Sequence, residues 1–507
     1  MTIRTAYRSI RKKGIKKYIK DYIRSSKKKK YRLSINDRIN AMLESAKTLI
    51  EDMGVDKEKG ISACLELSDF AAKERKVLTY PELMTCCRAA SEFVSKHYDD
   101  LSDNNPDELK TIMNNLWEVE KDKPYNKHIK QYYLKEVYPD IYSHYASAPI
   151  ENKVIVFESG FSPSPSSKHL ADVIAEQGKY KIVYIGLKIR AVPMGVFYEN
   201  GKRFIEELAT AKALFLSTAN DLISQFDLRE ETNVIQLWHG VGAFKHVGYS
   251  TVNNKNFGRT QKTWDEYDSF RNYTALTIAA EGQRWIFEES TKLNSEVIRP
   301  IGISRTDLFY DKNYKENAYN KLKERFPQIG ERKLILYGPT FRGIVSKAKA
   351  PDKLDVRVMA EKLSDDYVLL IKHHGLSKDI PPIPEDLENT FAFDLNKNNV
   401  LNIDELLVIA DCLITDYSSV AFEYAITERP IIFFTYDLED YIEQRGLYFD
   451  FEKDAPGPIC RDTESIVDYL ANIDNNFDKD KLIAFKTQYV EACDGHATER
   501  TIALIEE

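Results

Sequence analysis

The sequence predicts an α/β protein with two domains of parallel sheet and covering helices in tandem, behind an N-terminal helical region. Three observations carry that prediction. Short apolar runs alternate with helix-like stretches from Lys153 onward, and they do so in two separate series. Each run breaks into a polar or glycine-containing loop before the next helix, as strands of a helix-covered parallel sheet do. The chain has 507 residues, more than one core usually supports, and 43% of them are hydrophobic.

Residues 1–32 form a basic amphipathic arm. They hold fourteen Lys or Arg against one acid, Asp21, so an arm of +13 precedes a remainder of −20 in a chain of net charge −7. Ile3, Tyr7, Ile10, Ile15, Tyr18, Ile19, Tyr22 and Ile23 recur at three- and four-residue steps, interrupted at Gly14. An aliphatic and tyrosine face beside a cationic face suits a helix lying on anionic lipid, each basic residue adding about 1 kcal/mol near such a surface. A helix packed on the protein's own body, or a solvated tail, is the plainer alternative. Nothing in the arm or the overall acidic balance points to nucleic acid. No apolar run reaches the length of a transmembrane helix. The six cysteines are scattered without zinc-like spacing, which fits reduced thiols.

Residues 33–149 read as an accessory helical region. ISACLELSDFAAKERK and ELMTCCRAASEFVSKHY have helical spacing, and KDKPYNKH breaks them. The first α/β domain is expected over 150–320. KVIVFES, YKIVYIGL, AKALFLST and TNVIQLWHG read as its strands. The last of these ends in Trp238, His239, Gly240, Val241 and Gly242, with Lys245 and His246 just beyond. In parallel sheets ligands bind at the carboxyl ends of strands. Glycines there let backbone N–H groups approach a phosphate, and an imidazole can take a proton near neutral pH. A histidine satisfied by a backbone carbonyl is the competing explanation.

The second series, expected over 321–507, delivers more polar strand ends. KLILYGPTFRG places Thr340 and Arg342 after a strand, and the guanidinium fork suits phosphate oxygens. YVLLIKHHG does the same for Lys372, His373 and His374. DCLITDYSS brings Asp416, Ser418 and Ser419 to the start of a helix, where hydroxyls and free N–H groups can meet an anion. Capping accounts for one serine but not for two. Together the strand ends favour a phosphorylated ligand. GxGxxG and P-loop patterns are absent from these sites, which argues against ordinary dinucleotide and NTPase chemistry.

The segments WHGVG, GISRTDLF, YGPTFRG, IKHHG, LITDYSSVAFEY and RPIIFFTYDLEDYIEQRGLYFDFEKDAPGP resemble the CDP-glycerol glycerophosphotransferase family, over roughly residues 150–500. Those enzymes build teichoic acids and related glycerol-phosphate polymers. The resemblance implies a GT-B-like pair of Rossmann-type domains facing across a cleft, and peripheral attachment to the cytoplasmic face of the membrane. It implies that His239 is the central histidine and that Arg305 matches an arginine of a Gly-x-Pro-Arg pattern, with Ser304 in place of proline. Pro339 and Thr340 match a Pro-Thr pair. Lys372 and His374 match an Arg-x-His element, with lysine keeping the charge but not the fork. Ser418 and Ser419 match paired serines. Glu423 stands where aspartate is frequent; it would bind ribose or glycerol hydroxyls, or else be an ordinary solvated helix residue.

The reaction implied is attack of an acceptor hydroxyl on the β-phosphorus of CDP-glycerol, with release of CMP. His239 or His374 would be the base, and Arg305, Lys372 and the paired serines would neutralise the phosphates. Strand alternation points His373 away from His374. The scheme requires no metal and no cofactor beyond the donor; Asp478–Asp480 reads as surface charge. Its partners are CDP-glycerol, a lipid-linked or polymeric acceptor and an anionic membrane. Rival readings are a CDP-ribitol-using enzyme, a GT-B glycosyltransferase taking a nucleotide sugar, and a non-enzymatic scaffold.

Overall fold

The computed structural model describes residues 15–51, 56–160, 163–344, 347–397 and 400–507. The chain divides into two compact units, residues 1–147 with 187–207, and residues 148–186 with 208–507.

The first unit is helical. Its longest helix, Tyr80–Asn104, opens on a capping box: Thr79 and Glu82 satisfy each other's backbone groups. Its inward face carries Leu83, Cys86, Cys87, Ala90, Val94 and Leu101, all buried. The helix Met194–Leu208 belongs to this unit almost entirely, although the sequence places it inside the first α/β domain. The tyrosines explain why. Tyr138 Oη donates to the Tyr198 carbonyl at 2.7 Å, and Tyr133 donates to the buried carboxylate of Glu199. The Tyr133 and Tyr198 rings stack 5.2 Å apart.

Of the basic arm, Ile3, Tyr7 and Ile10 lie outside the described residues. The helix Ile15–Ser34 follows, and its far end is fixed by Arg32 to Glu82 and by Tyr31 to Glu74. Among the described residues no helix is long and apolar enough to cross a membrane.

The second unit holds both sheets, and every strand pairing in them is parallel. The first comprises β1 (Glu151–Glu158), β2 (Lys181–Gly186), β3 (Ala211–Leu216), β4 (Asn233–Gln236), β5 (Ala275–Thr277) and β6 (Ile298–Arg299), in the order β2-β1-β3-β4-β5-β6. The second comprises β7 (Lys333–Tyr337), β8 (Tyr367–Ile371), β9 (Ala392–Asp394), β10 (Cys412–Thr415), β11 (Ile431–Phe434) and β12 (Ile459–Cys460), in the order β12-β11-β10-β7-β8-β9. Strands such as VLLI and CLIT are buried on both faces because helices cover both sides, so they read as continuous apolar runs rather than alternating ones.

The chain's end returns to the first sheet. Ile502, Leu504 and Ile505 join its core with Val154, Val156, Phe215 and Ile235. Asp307 caps the last helix, Ala497–Ala503, by accepting the Ala497 and Thr498 N–H groups at 3.0 and 2.7 Å. The expected division at 321 therefore misses this crossover. All six cysteines are buried and unpaired.

Candidate active site

The loop after β4 turns sharply. Leu237 extends the pairing with β3 by one hydrogen bond to Leu216, and the Trp238 N–H is held by Gln236 Oε1 at 2.9 Å. Trp238 then takes φ +56°, a left-handed conformation that a bulky residue adopts only under constraint. Its indole is buried, edge-on to Phe287 at 5.2 Å. This turn presents His239 as the exposed residue of an otherwise buried loop.

The rest of that loop is pinned to the helix that follows DYSS. A Cβ at Gly240 would lie 3.4 Å from the Ser419 hydroxyl, and one at Gly242 would lie 2.5 Å from the Phe422 ring. Only glycine permits the second approach. The N–H of buried Val241 donates to Glu423 Oε1 at 3.2 Å, and its carbonyl accepts from Gln283 at 2.9 Å. The polar ends of the two sheets thus meet at one place, with His239 on one side and the paired serines on the other.

The serines divide their work. Ser418 Oγ accepts weakly from the Val420 N–H at 3.5 Å, at the start of the helix Val420–Ala425. Ser419 makes no side-chain cap, and its half-buried hydroxyl has no protein partner among the described residues. Just below them, buried Asp416 accepts from the Thr340 N–H and hydroxyl and from Arg342. Pro339 and Thr340 are buried under this bond. Thr340 and Asp416 are therefore a strut between the ends of β7 and β10.

Two expected phosphate ligands are already neutralised. Buried Arg305 pairs with both Asp404 and Glu423, and these carboxylates offset the burial that works against its charge. Arg342 pairs with Asp416 at 2.7 Å and Asp437 at 2.6 Å, and its guanidinium lies over the rings of Tyr417, Tyr436 and Tyr441. Both arginines are tied to carboxylates that already offset their charge. Glu423 is not a solvated residue here: it is buried, its Oε1 is bonded to Arg305 and Val241, and its Oε2 has no partner among the described residues.

The KHH strand end splits by alternation. His373 is buried and turns into a cavity of about 320 Å³ lined by Tyr337, Pro351, Ile371 and Pro382. Its Nδ1 has no partner. Lys372 Nζ donates to the Leu395 carbonyl at 2.9 Å. His374 is exposed and packs on Phe341, with ring centroids 5.2 Å apart.

A hydrogen bond fixes the tautomer of one of the two exposed histidines. His374 Nδ1 accepts the Leu376 N–H at 3.1 Å, so in the neutral ring the proton sits on Nε2, a donor. His239 instead faces the Ser217 backbone carbonyl. In its neutral ring one nitrogen carries the proton and the other is an acceptor. The surrounding walls lower the His239 pKa, Arg305 lowers it further, and the Ser217 carbonyl opposes them; solvent still reaches the ring. His374 is lowered by burial and by Lys245, against Asp416. Both are neutral at neutral pH.

Two cations that the site expectation omitted lie nearby. Lys245 faces Asp416, Arg342 and Arg445, and burial lowers its pKa to about 8. Arg445 is half-buried at the end of the helix Leu438–Arg445. The run AFKHVG showed Lys245, but not its neighbour 200 residues away. Among the described residues no group of three or more His, Cys, Asp or Glu is placed to hold a metal ion.

Two parallel sheets with their polar strand ends joined at one cleft define a GT-B-like protein. The chain belongs to the CDP-glycerol:poly(glycerophosphate) glycerophosphotransferase family, whose profile matches residues 141–507. A teichoic acid ribitol-phosphate primase of Bacillus spizizenii is 35% identical over 300 residues, 59% of this chain and 75% of the relative. A teichoic acid poly(ribitol-phosphate) polymerase of the same organism is 33% identical over 296 residues. That match covers 58% of this chain but only 46% of the polymerase, so the chain spans about half of that relative's length. A structure of the wall teichoic acid polymerase TagF, soaked with CDPG, superposes with a TM-score of 0.60 at 25% identity, over 76% of this chain and 97% of that one.

Proposed function

We propose that the chain transfers glycerol phosphate from CDP-glycerol to a hydroxyl of a lipid-linked or polymeric acceptor and releases CMP. The observation that carries this reading is the exposed, neutral imidazole of His239 on a loop pressed against Ser419. The acceptor oxygen attacks the phosphorus that bears glycerol, and its proton passes to the acceptor nitrogen of His239. The new P–O bond forms as the bond to the bridging oxygen breaks, and that electron pair leaves with CMP. His374 donates its Nε2–H to the departing phosphate, and the Ser419 hydroxyl supports it from the facing wall. The donor role is given to His374 because its Nε2 carries the proton, and the base role to His239 because its neutral ring keeps an acceptor nitrogen.

CDP-ribitol is the second reading, supported by the ribitol-phosphate names of two relatives. The full-length protein, incubated with a lipid-linked acceptor and either CDP-glycerol, CDP-ribitol or a UDP-sugar, separates the readings. CMP release from CDP-glycerol with a lengthened product is the expected result. Turnover of CDP-ribitol alone favours the second reading. Consumption of the UDP-sugar alone replaces both.

We infer from the basic arm that this chemistry takes place at the cytoplasmic face of the membrane, on anionic lipid. Its support is the charge of residues 1–32 and the exposure of Ile23 and Leu33, 49% and 69%, on a cationic helix. Pelleting with phosphatidylglycerol vesicles but not phosphatidylcholine vesicles is expected, weakened when Lys27–Lys30 become glutamine. Equal pelleting of both forms ends this placement.

A further inference from the structure

The arginines that the motifs nominate are bound to carboxylates, so the cleft's free positive charge lies elsewhere. The segment Phe244–His246 runs antiparallel to Gly446–Tyr448. The His246 N–H donates to Gly446 at 3.2 Å, the Tyr448 N–H donates to Phe244 at 2.8 Å, and Lys245 stands opposite Leu447. Gly446 has φ +70°, and a Cβ there would come within 2.4 Å of the His246 ring, so this crossing is close. It brings Arg445 beside Lys245. The Arg445 guanidinium lies 3.6 Å from the centre of the Phe257 ring and makes no hydrogen bond or ion pair among the described residues. The Lys245 ammonium makes none either. Its facing groups are Asp416, already taken by Thr340 and Arg342, together with Arg342, Arg445 and His374. Arg445 faces Tyr441 and Lys245.

A basic residue in the last turn of a helix is ordinary. A half-buried lysine beside it, on a loop, with its nearest carboxylate already occupied, is not, because a buried charge is retained where something compensates it. We propose that Lys245 and Arg445 together grip a phosphate-ester anion in the cleft beside His374. Arg445 supplies a fork held flat against Phe257, and Lys245 supplies a point charge. The inference rests on the proposed transfer for which phosphate this is: the donor's diphosphate or the acceptor's phosphodiester.

The test uses Lys245→Met, Arg445→Met and the double variant, in the full chain. Calorimetric titrations with inorganic pyrophosphate, CDP and cytidine read the donor arm; KM for a phosphodiester acceptor and for an uncharged acceptor analogue reads the other. A donor site predicts a fall of about 10-fold or more per substitution for pyrophosphate and CDP, with cytidine unchanged. An acceptor site leaves those three unchanged and raises KM about as much for the phosphodiester acceptor alone. Thermal melting is expected to stay level or rise, since an uncompensated charge is removed. Changes below twofold in both arms overturn the proposal, as does a lower melting temperature with loss of cytidine binding. Failure of the wild type to bind pyrophosphate or to use the phosphodiester acceptor also overturns it. Pyrophosphate binding that needs both cations, without CMP release, leaves this inference standing and removes the proposed transfer.

Discussion

The two sheets are wound differently. In the second, the chain leaves β7 toward β8 and β9, then returns to the other side of β7 for β10, β11 and β12. Its switch point lies between β7 and β10, and crevices for ligands open at such points. That is where Thr340, Asp416 and the paired serines stand. In the first sheet the switch point lies between β1 and β3. There the buried Glu158 at the end of β1 is filled by hydroxyls of Ser164, Ser167 and Ser217. Those hydrogen bonds occupy the carboxylate at that point. The first sheet reaches the cleft from the neighbouring strand, β4, through one loop and one imidazole. In the proposed transfer, the difference means that one sheet builds the wall that would face the phosphates while the other brings His239 to it.

The largest effect follows from that asymmetry. His239→Ala removes what the first sheet brings to the reacting oxygen and is expected to slow CMP release about 10²- to 10⁴-fold. Its melting temperature should stay near that of the wild type, because the ring is exposed. Turnover within a few-fold of normal would move the base to the second sheet.

Arg305→Met probes the joint between the sheets rather than the chemistry. It leaves Asp404 and Glu423 buried without their cation, which typically costs about 3–5 kcal/mol. Thermal or urea unfolding measures this directly. Adding Glu423→Gln should recover part of the loss, since one stranded charge is gone. A variant that melts normally but binds CDP poorly would return Arg305 to the list of ligand contacts.

The strands and the two polar strand-end clusters were legible in the sequence because apolar runs and turn chemistry are local signals. WHGVG and DYSS do meet. What was not legible depends on distant partners. Arg305 and Arg342 read as phosphate ligands because Asp404 and Asp437, which neutralise them, lie 99 and 95 positions away. Glu423 could read as a solvated residue because Arg305 lies 118 positions before it. The helix Met194–Leu208 read as part of the α/β domain because its period is that of any covering helix. Distant partners claim it for the helical unit: Tyr133 and Tyr138, some 60 positions earlier, with Glu120 at Met194 and Ser95 at Asn200. The pairing of Lys245 with Arg445 needs the crossing at Gly446, which no local pattern encodes.

The smallest effect is a pH dependence that sets one wall against the other. His239 titrates below its ordinary value of 6.5, so kcat/KM should fall on the acid side only below that pH, by up to about tenfold per unit. Lys245, of ordinary value 10.5, titrates at about 8, so loss of its charge should bring a second fall above pH 8. A bound phosphate favours the ammonium, so this alkaline limb should lie higher in kcat than in kcat/KM. The stability contributions of these groups both rise with pH, each in its own window. Below pH 6.5, the unfolded chain takes up a proton before the folded His239 does. Between about pH 8 and 10.5, the unfolded chain keeps a proton that the folded Lys245 has lost. The penalty of the buried ammonium is thus full below pH 8 and relieved above it. Lys245→Met should lose the alkaline limb and the stability gain between pH 8 and 10.5 while keeping the acid limb. An unaltered alkaline limb in that variant would detach Lys245 from the phosphate wall.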